Sequence, residues 1–179
     1  TLMQILFDAT PFVPGQATGA GRLVQQAIIH FGHLDTGHRF HVFGFAPELC
    51  PDRELPDNIR YRRIQPWRWL GPLAQEAARR NHIGAMLSRL AIDVVHCTLE
   101  PTPIYDEHAR MLFSLYDLAR RSPGFMGPTP HPLRTRARSF LRYRLARRAD
   151  LIHTISHHSA DRIAQSLGIA RHKIRVVYP

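Results

Sequence analysis

The sequence predicts an α/β fold: a parallel sheet with helices on both faces. Three observations predict it. Short apolar runs alternate with segments of helical periodicity from one end of the chain to the other. Most of those runs are apolar throughout, as in strands covered on both faces. The 179 residues, 44% hydrophobic and 21% charged, suit one globular domain with its own core.

The elements follow in order. Met3–Ala9, "MQILFDA", reads as a buried first strand ending near Asp8. Leu23, Val24, Ala27, Ile28, Phe31 and Leu34 then recur at helical spacing. Arg39–Ala46 is a second strand, Pro47–Asn58 is turn chemistry, and Ile59–Ile64 alternates like a third strand. Leu73–Leu90 fits a helix, and Asp93–Leu99 and Arg110–Leu118 are strands four and five. Arg120–Pro132 is a loop rich in Pro and Gly. Leu133–Ala149 is helical, with Leu133, Ala137, Phe140, Leu141, Leu145 and Ala149 on one face. "LIHTIS" is strand six, and Ser156 is placed to cap the next helix, which Gly168 ends. "KIRVVY" is strand seven. Ligands of such sheets bind beyond the carboxyl ends of the strands. The glycine segment, the segments after Leu99 and Tyr116, and Ser156 all belong to that edge.

"PGQATGAGR", Pro14–Arg22, joins the first strand to the first helix. Gly19 and Gly21 lack the third glycine of a dinucleotide fingerprint, because Val24 stands there. Arg22-Leu23 is not the Lys-Ser/Thr of a P-loop. Two readings stay open: a turn that needs glycine, or a loop ahead of a helix N-terminus that takes an anion.

Composition narrows the classes. Cys50 and Cys97 form no Cys-x-x-Cys pattern, which argues against a disulfide framework or a zinc site and suits a reducing compartment. The histidines His30, His33, His157 and His158 have no matching carboxylate or thiolate set, so no metal is expected. No apolar run reaches the length of a membrane span and no signal peptide precedes the first strand, so a cytoplasmic protein is expected. The start at Thr1 and the end at "VVYP" read as a fragment or a processed piece. The net charge is +10, yet nine arginines lie between Leu118 and Ala149, a stretch without Asp or Glu. The rest of the chain carries only +1. This basic stretch, with Arg134, Arg138, Arg142 and Arg144 on its helix, has three readings. In order of preference they are an anionic membrane surface with Phe125 and Met126 at the interface, a solvated face, and nucleic acid. Its aromatics have no stacking spacing, so no nucleic acid is expected.

Longer stretches resemble glycosyltransferase family 4. "ILFDATPFVPGQATGAGRLVQQAI" is similar to the family's opening strand, proline loop and Gly-x-Gly-Arg. "DVVHCTLEP" looks like its fourth strand, and "LFSLYDL" stands where many members have a strand ending in His-Asp-Leu. "ADLIHTISHHSADRIAQSLGIARHKIRVVYP" is the most specific part of the resemblance, which covers nearly the whole chain. It implies a GT-B fold of two Rossmann-like domains, of which residues 1–179 match the N-terminal, acceptor-side one. The donor-binding C-terminal domain, with its Glu-x7-Glu motif, is then absent from the chain. The implied reaction moves a sugar, with retention, from a nucleotide diphosphate sugar to a glycan or lipid-linked acceptor, without a further cofactor. Gly19, Ala20, Gly21 and Arg22 would face the donor diphosphate. Asp117 matches the family's Asp and with Tyr116 is expected to be catalytic, binding an acceptor hydroxyl or positioning a loop; capping, or pairing with an arginine, is its plainer role. Tyr116 replaces the family's usual His, and a phenol is a poor base near neutral pH. His96 and Glu100 flank the end of strand four, as acceptor contacts or, for His96, as a core histidine. Peripheral attachment to the inner face of a membrane goes with a lipid-linked acceptor. The rival function is a non-enzymatic Rossmann-like module that docks on anionic membranes through its arginine helix.

Overall fold

The computed structural model describes residues 2–10, 12, 19–34, 37–49, 54–65, 71–98, 106–116, 143–144 and 146–178. Seven strands form one sheet: β1 (Gln4–Asp8), β2 (Arg39–Gly44), β3 (Ile59–Arg63), β4 (Val94–Cys97), β5 (Arg110–Ser114), β6 (Leu151–Thr154) and β7 (Ile174–Val176). Every pairing is parallel, and the order is β3-β2-β1-β4-β5-β6-β7. Helices α1 (Gly19–His33), α2 (Gly71–Leu90) and α3 (His157–Leu167) lie between strands. The predicted fold class holds. Of the helix expected over 133–149, Tyr143, Arg144 and Ala146 are helical, but Arg147 and Arg148 already form a turn and Ala149 lies past it, so the helix ends earlier than expected; residues 133–142 and 145 lie outside the described residues.

Register explains why the strands are apolar on both sides. Side chains alternate along a strand, so neighbours serve opposite faces. Leu6 joins a core with Phe43, Val95, Met111, Phe113 and Ile152, closed by Ile83 and Met86 of α2 and by Ile163 and Leu167 of α3. Phe7, the next residue, joins Phe40, Val42 and Ile59 beneath Val24 and Ile28 of α1. Burial of one such side chain stabilises by about 1.5–3 kcal/mol. The two faces follow from handedness. The chain moves outward from β1 to β2 to β3, then returns through α2 and moves the other way from β4 to β7. Crossovers of one hand put α1 on one face and α2 and α3 on the other.

Local chemistry sets the ends of α3. Ser156 is extended, and its Oγ accepts the Ser159 N–H at 3.0 Å. Gly168 closes the helix in the left-handed region at φ +63° and donates its N–H to the Ala164 carbonyl. Both caps stand where the sequence predicts them. Leu34 differs: α1 stops at His33, and Leu34 is 52% exposed instead of part of the apolar face. Edge strand β3 turns Arg60, Arg62 and Arg63 to solvent, which blocks pairing with another sheet edge.

Gly32 tests how closely α1 sits on the sheet. A Cβ there would lie 2.6 Å from Ile59 Cδ1 and 2.6 Å from Pro56 Cγ. Helix propensity alone favours Gly32→Ala by roughly 1 kcal/mol. The clash should outweigh it, because overpacking costs about 1–3 kcal/mol. Urea unfolding should show a lower midpoint for Gly32→Ala; a higher midpoint would mean that α1 has room to shift.

Candidate active site at the carboxyl edge of the sheet

The sheet order reverses at β1: β2 leaves on one side and β4 lies on the other. Such a reversal opens a crevice beyond the carboxyl ends of the two strands, where ligands of open α/β sheets bind. Three buried residues, Asp8, Thr10 and Thr98, meet at these strand ends. Asp8 ends β1, and its Oδ1 accepts from the Thr10 N–H at 2.9 Å and the Thr10 hydroxyl at 2.6 Å. The Thr98 hydroxyl, just past β4, donates to the Asp8 carbonyl at 2.7 Å. This clamp ties β1 to β4 and fixes how the chain leaves β1. The sequence pointed to Asp8 only as a strand end; a carboxylate followed two residues on by a threonine was the available signal.

The glycines lie beyond this clamp, in a different local structure from the one expected. Gly19, Ala20 and Gly21 form the first turn of α1, not a loop ahead of it. Gly19 is exposed and Gly21 is buried. Arg22, in the same turn, is exposed. The first N–H groups of a helix have no acceptor within the helix, and the dipole adds partial positive charge there. No carboxylate lies in this turn to neutralise it. The anion-favouring chemistry expected of a loop is thus supplied by the helix end itself.

His96 is 7% exposed, on β4, with its ring edge-on to Phe7 at 4.4 Å between centroids. Its Nε2 hydrogen-bonds Ser114 Oγ at 2.8 Å. Burial, with a smaller push from His153, drives its pKa down to about 3, so the ring is neutral at pH 7. The sequence left two readings for His96, an acceptor contact or a core histidine. Its burial, with Nε2 bonded to Ser114, fits the core histidine. Ser114 also bonds His153 Nδ1, at 3.0 Å. Tyr116, two residues past Ser114, packs its ring edge-on to His153 at 5.5 Å. Burial raises the Tyr116 pKa, which Ser114 pulls back in part. The phenol therefore stays protonated near neutral pH and acts as a hydrogen-bonding group, not a base.

The structure thus brings together Tyr116, His96 and two residues the sequence reading missed, Ser114 and His153. Register was the hidden signal: Ser114 lies opposite His153 across β5 and β6. Asp117, Glu100, Arg134, Arg138 and Arg142 lie outside the described residues. Arg144 is described and exposed. Among the described residues, no group of three or more His, Cys, Asp or Glu is placed to hold a metal ion. No described helix is long and apolar enough to cross a membrane.

Comparison with known proteins gives the following. The model of the family described as Glycosyltransferase Family 4 matches residues 17–179. No curated protein matches the chain. Among solved structures, sucrose-phosphate synthase from Thermosynechococcus elongatus is similar with a TM-score of 0.67 at 14% identity, over 98% of this chain and 48% of that one. UDP-GlcNAc 2-epimerase from Methanocaldococcus jannaschii follows with 0.57 at 11%, over 99% and 45%. Anabaena HepE in complex with UDP gives 0.51 at 14%, over 99% and 44%. The chain spans less than half the length of each of these. At such identities the likeness is one of fold: the Rossmann-like, N-terminal half of a GT-B architecture.

Proposed function

Because the chain belongs to glycosyltransferase family 4, we propose that it is the acceptor-side domain of a retaining glycosyltransferase. The full-length enzyme moves a sugar from a nucleotide diphosphate sugar to a glycan or a lipid-linked acceptor. The observation that carries the reading is the first turn of α1, Gly19–Gly21, set at the reversal point of the sheet beyond β1. There the helix end faces the crevice in which a donor diphosphate belongs, and it stabilises the charge that grows on the leaving group. Tyr116, at the carboxyl end of β5, offers a neutral phenol to an acceptor hydroxyl; Asp117 and Glu100 follow the same strand ends in sequence. The nucleotide itself is held by a second domain, outside this chain. The UDP bound to the similar Anabaena structure supports the choice of donor class. The arginines of residues 118–149 suit an anionic surface, in keeping with a lipid-linked acceptor at a membrane.

The test is a panel of nucleotide diphosphate sugars. The full-length protein should release nucleotide from at least one of them. Residues 1–179 alone should bind every member weakly, at about millimolar or worse, because half of the cleft is missing and water competes for the helix end. Micromolar binding by calorimetry to this domain alone would place the nucleotide site here and overturn the assignment.

A further inference from the structure

His96, Ser114 and His153 form a continuous hydrogen-bonded line across β4, β5 and β6, on the sheet face that Tyr116 shares. A serine hydroxyl has one hydrogen to give and lone pairs to receive. It cannot satisfy two facing histidine lone pairs at once, so at least one ring must point an N–H at Ser114. The surroundings of His153 select which. Its Nδ1 is used by Ser114, which leaves Nε2, a buried atom with no hydrogen-bond partner among the described residues. Burial lowers the pKa of this ring, so it is neutral; the Val177 backbone opposes that shift in part, which leaves Nε2 as the place for its one hydrogen. With its hydrogen on Nε2, a neutral His153 presents a lone pair at Nδ1. Ser114 then donates to Nδ1 and receives from His96 Nε2–H. The line has one direction: His96 N–H to Ser114 O–H to His153.

We propose that Ser114 and His153 are positioning residues, which through this one-way line from His96 fix the ring of His153 in one tautomer and one plane and so hold Tyr116 against it at the carboxyl edge. The consequence for catalysis rests on the glycosyltransferase reading; the line itself does not. His96, buried and neutral, is the anchor. His153, half-buried, packs its ring against Tyr116, and Ser114 also reaches the phenol. A phenol two residues past the end of a strand would otherwise sample several rotamers, and small misplacements of a contacting group cost large factors in rate.

Long-range proton–nitrogen NMR on the histidine rings of the full-length protein reads the line directly. Wild type should show both His96 and His153 neutral, each with its hydrogen on Nε2. Ser114→Ala should leave His153 averaging between tautomers and should shift the Tyr116 ring resonances. Ser114→Thr, which keeps the hydroxyl, should restore both. On whichever nucleotide sugar gives turnover, Ser114→Ala and His153→Phe should lower kcat about tenfold with the donor KM within twofold, and Ser114→Thr should recover most of kcat. A wild-type His153 with its hydrogen on Nδ1, or a Ser114→Ala protein with unchanged rings, overturns the line. Disturbed rings with unchanged kcat overturn the positioning role. If no nucleotide sugar is turned over, the glycosyltransferase reading fails, and the ring and Tyr116 resonances still decide the line. Should Ser114→Ala not fold, His153→Phe carries the same comparison through the Tyr116 shifts and kcat.

Discussion

Gly19→Val should leave the protein folded and lower turnover of the full-length enzyme on the order of a hundredfold, the scale of losing one preorganised donor at a developing anion. Among the described residues a Cβ at Gly19 meets nothing within 4 Å, so the side chain displaces none of their packing. Its backbone is not in the left-handed region, so a β-branched residue is not strained there. The added side chain stands where a diphosphate would approach the first turn of α1. The melting temperature and the kinetics should therefore separate. Gly21→Val is a poorer probe, because Gly21 is buried and overpacking would lower stability as well. Wild-type turnover by a folded Gly19→Val enzyme would show that the helix end does not face the donor.

Acid should unfold this domain early, and His96 should be the main cause. Its folded pKa, about 3, lies below the 6.5 of an unfolded histidine. Between those values the unfolded chain binds a proton that the folded one refuses. Stability therefore rises with pH across that window, is complete above about 6.5, and is lost as pH falls toward 3. The full span corresponds to roughly 5 kcal/mol from this one residue. A domain of this size has only about 5–15 kcal/mol in all. His41, His82 and His153 are shifted down as well, each chiefly by burial, and act in the same direction. Urea midpoints measured from pH 7.5 to pH 4 should fall steeply for wild type and clearly less for His96→Gln. Parallel slopes in the two proteins would mean that His96 is not the group that refuses the proton.

Much of the fold was legible because it rests on rules that act over a few residues. Ser156 and Gly168 announce the ends of α3 by side-chain and backbone chemistry within a single turn. The apolar runs at Met3–Ala9 and Arg110–Leu118 announce β1 and β5, though β5 pairs only as far as Ser114 and leaves Tyr116 past its end. The start of α1 was less legible. Glycines read as a loop, yet Gly19 and Gly21 are helical, because Val24 and Ile28 pull the helix onto Phe7 and Phe40.

The sequence by itself determined the class of fold: strands apolar on both sides, separated by amphipathic helices, have no other way to bury both faces than a parallel sheet between two layers. It also marked the edge where a ligand belongs, since parallel strands all end on one side. Only the tertiary structure decided what happens at that edge. His96, Ser114 and His153 are 18 and 39 residues apart, and no local pattern links them. They meet because β4, β5 and β6 pair in one register, and a slip of one residue in any of the three would send its polar side chain to the opposite face. Register is set by the packing of the whole sheet against its helices, so a hydrogen-bonded line across three strands exists only once that packing is complete.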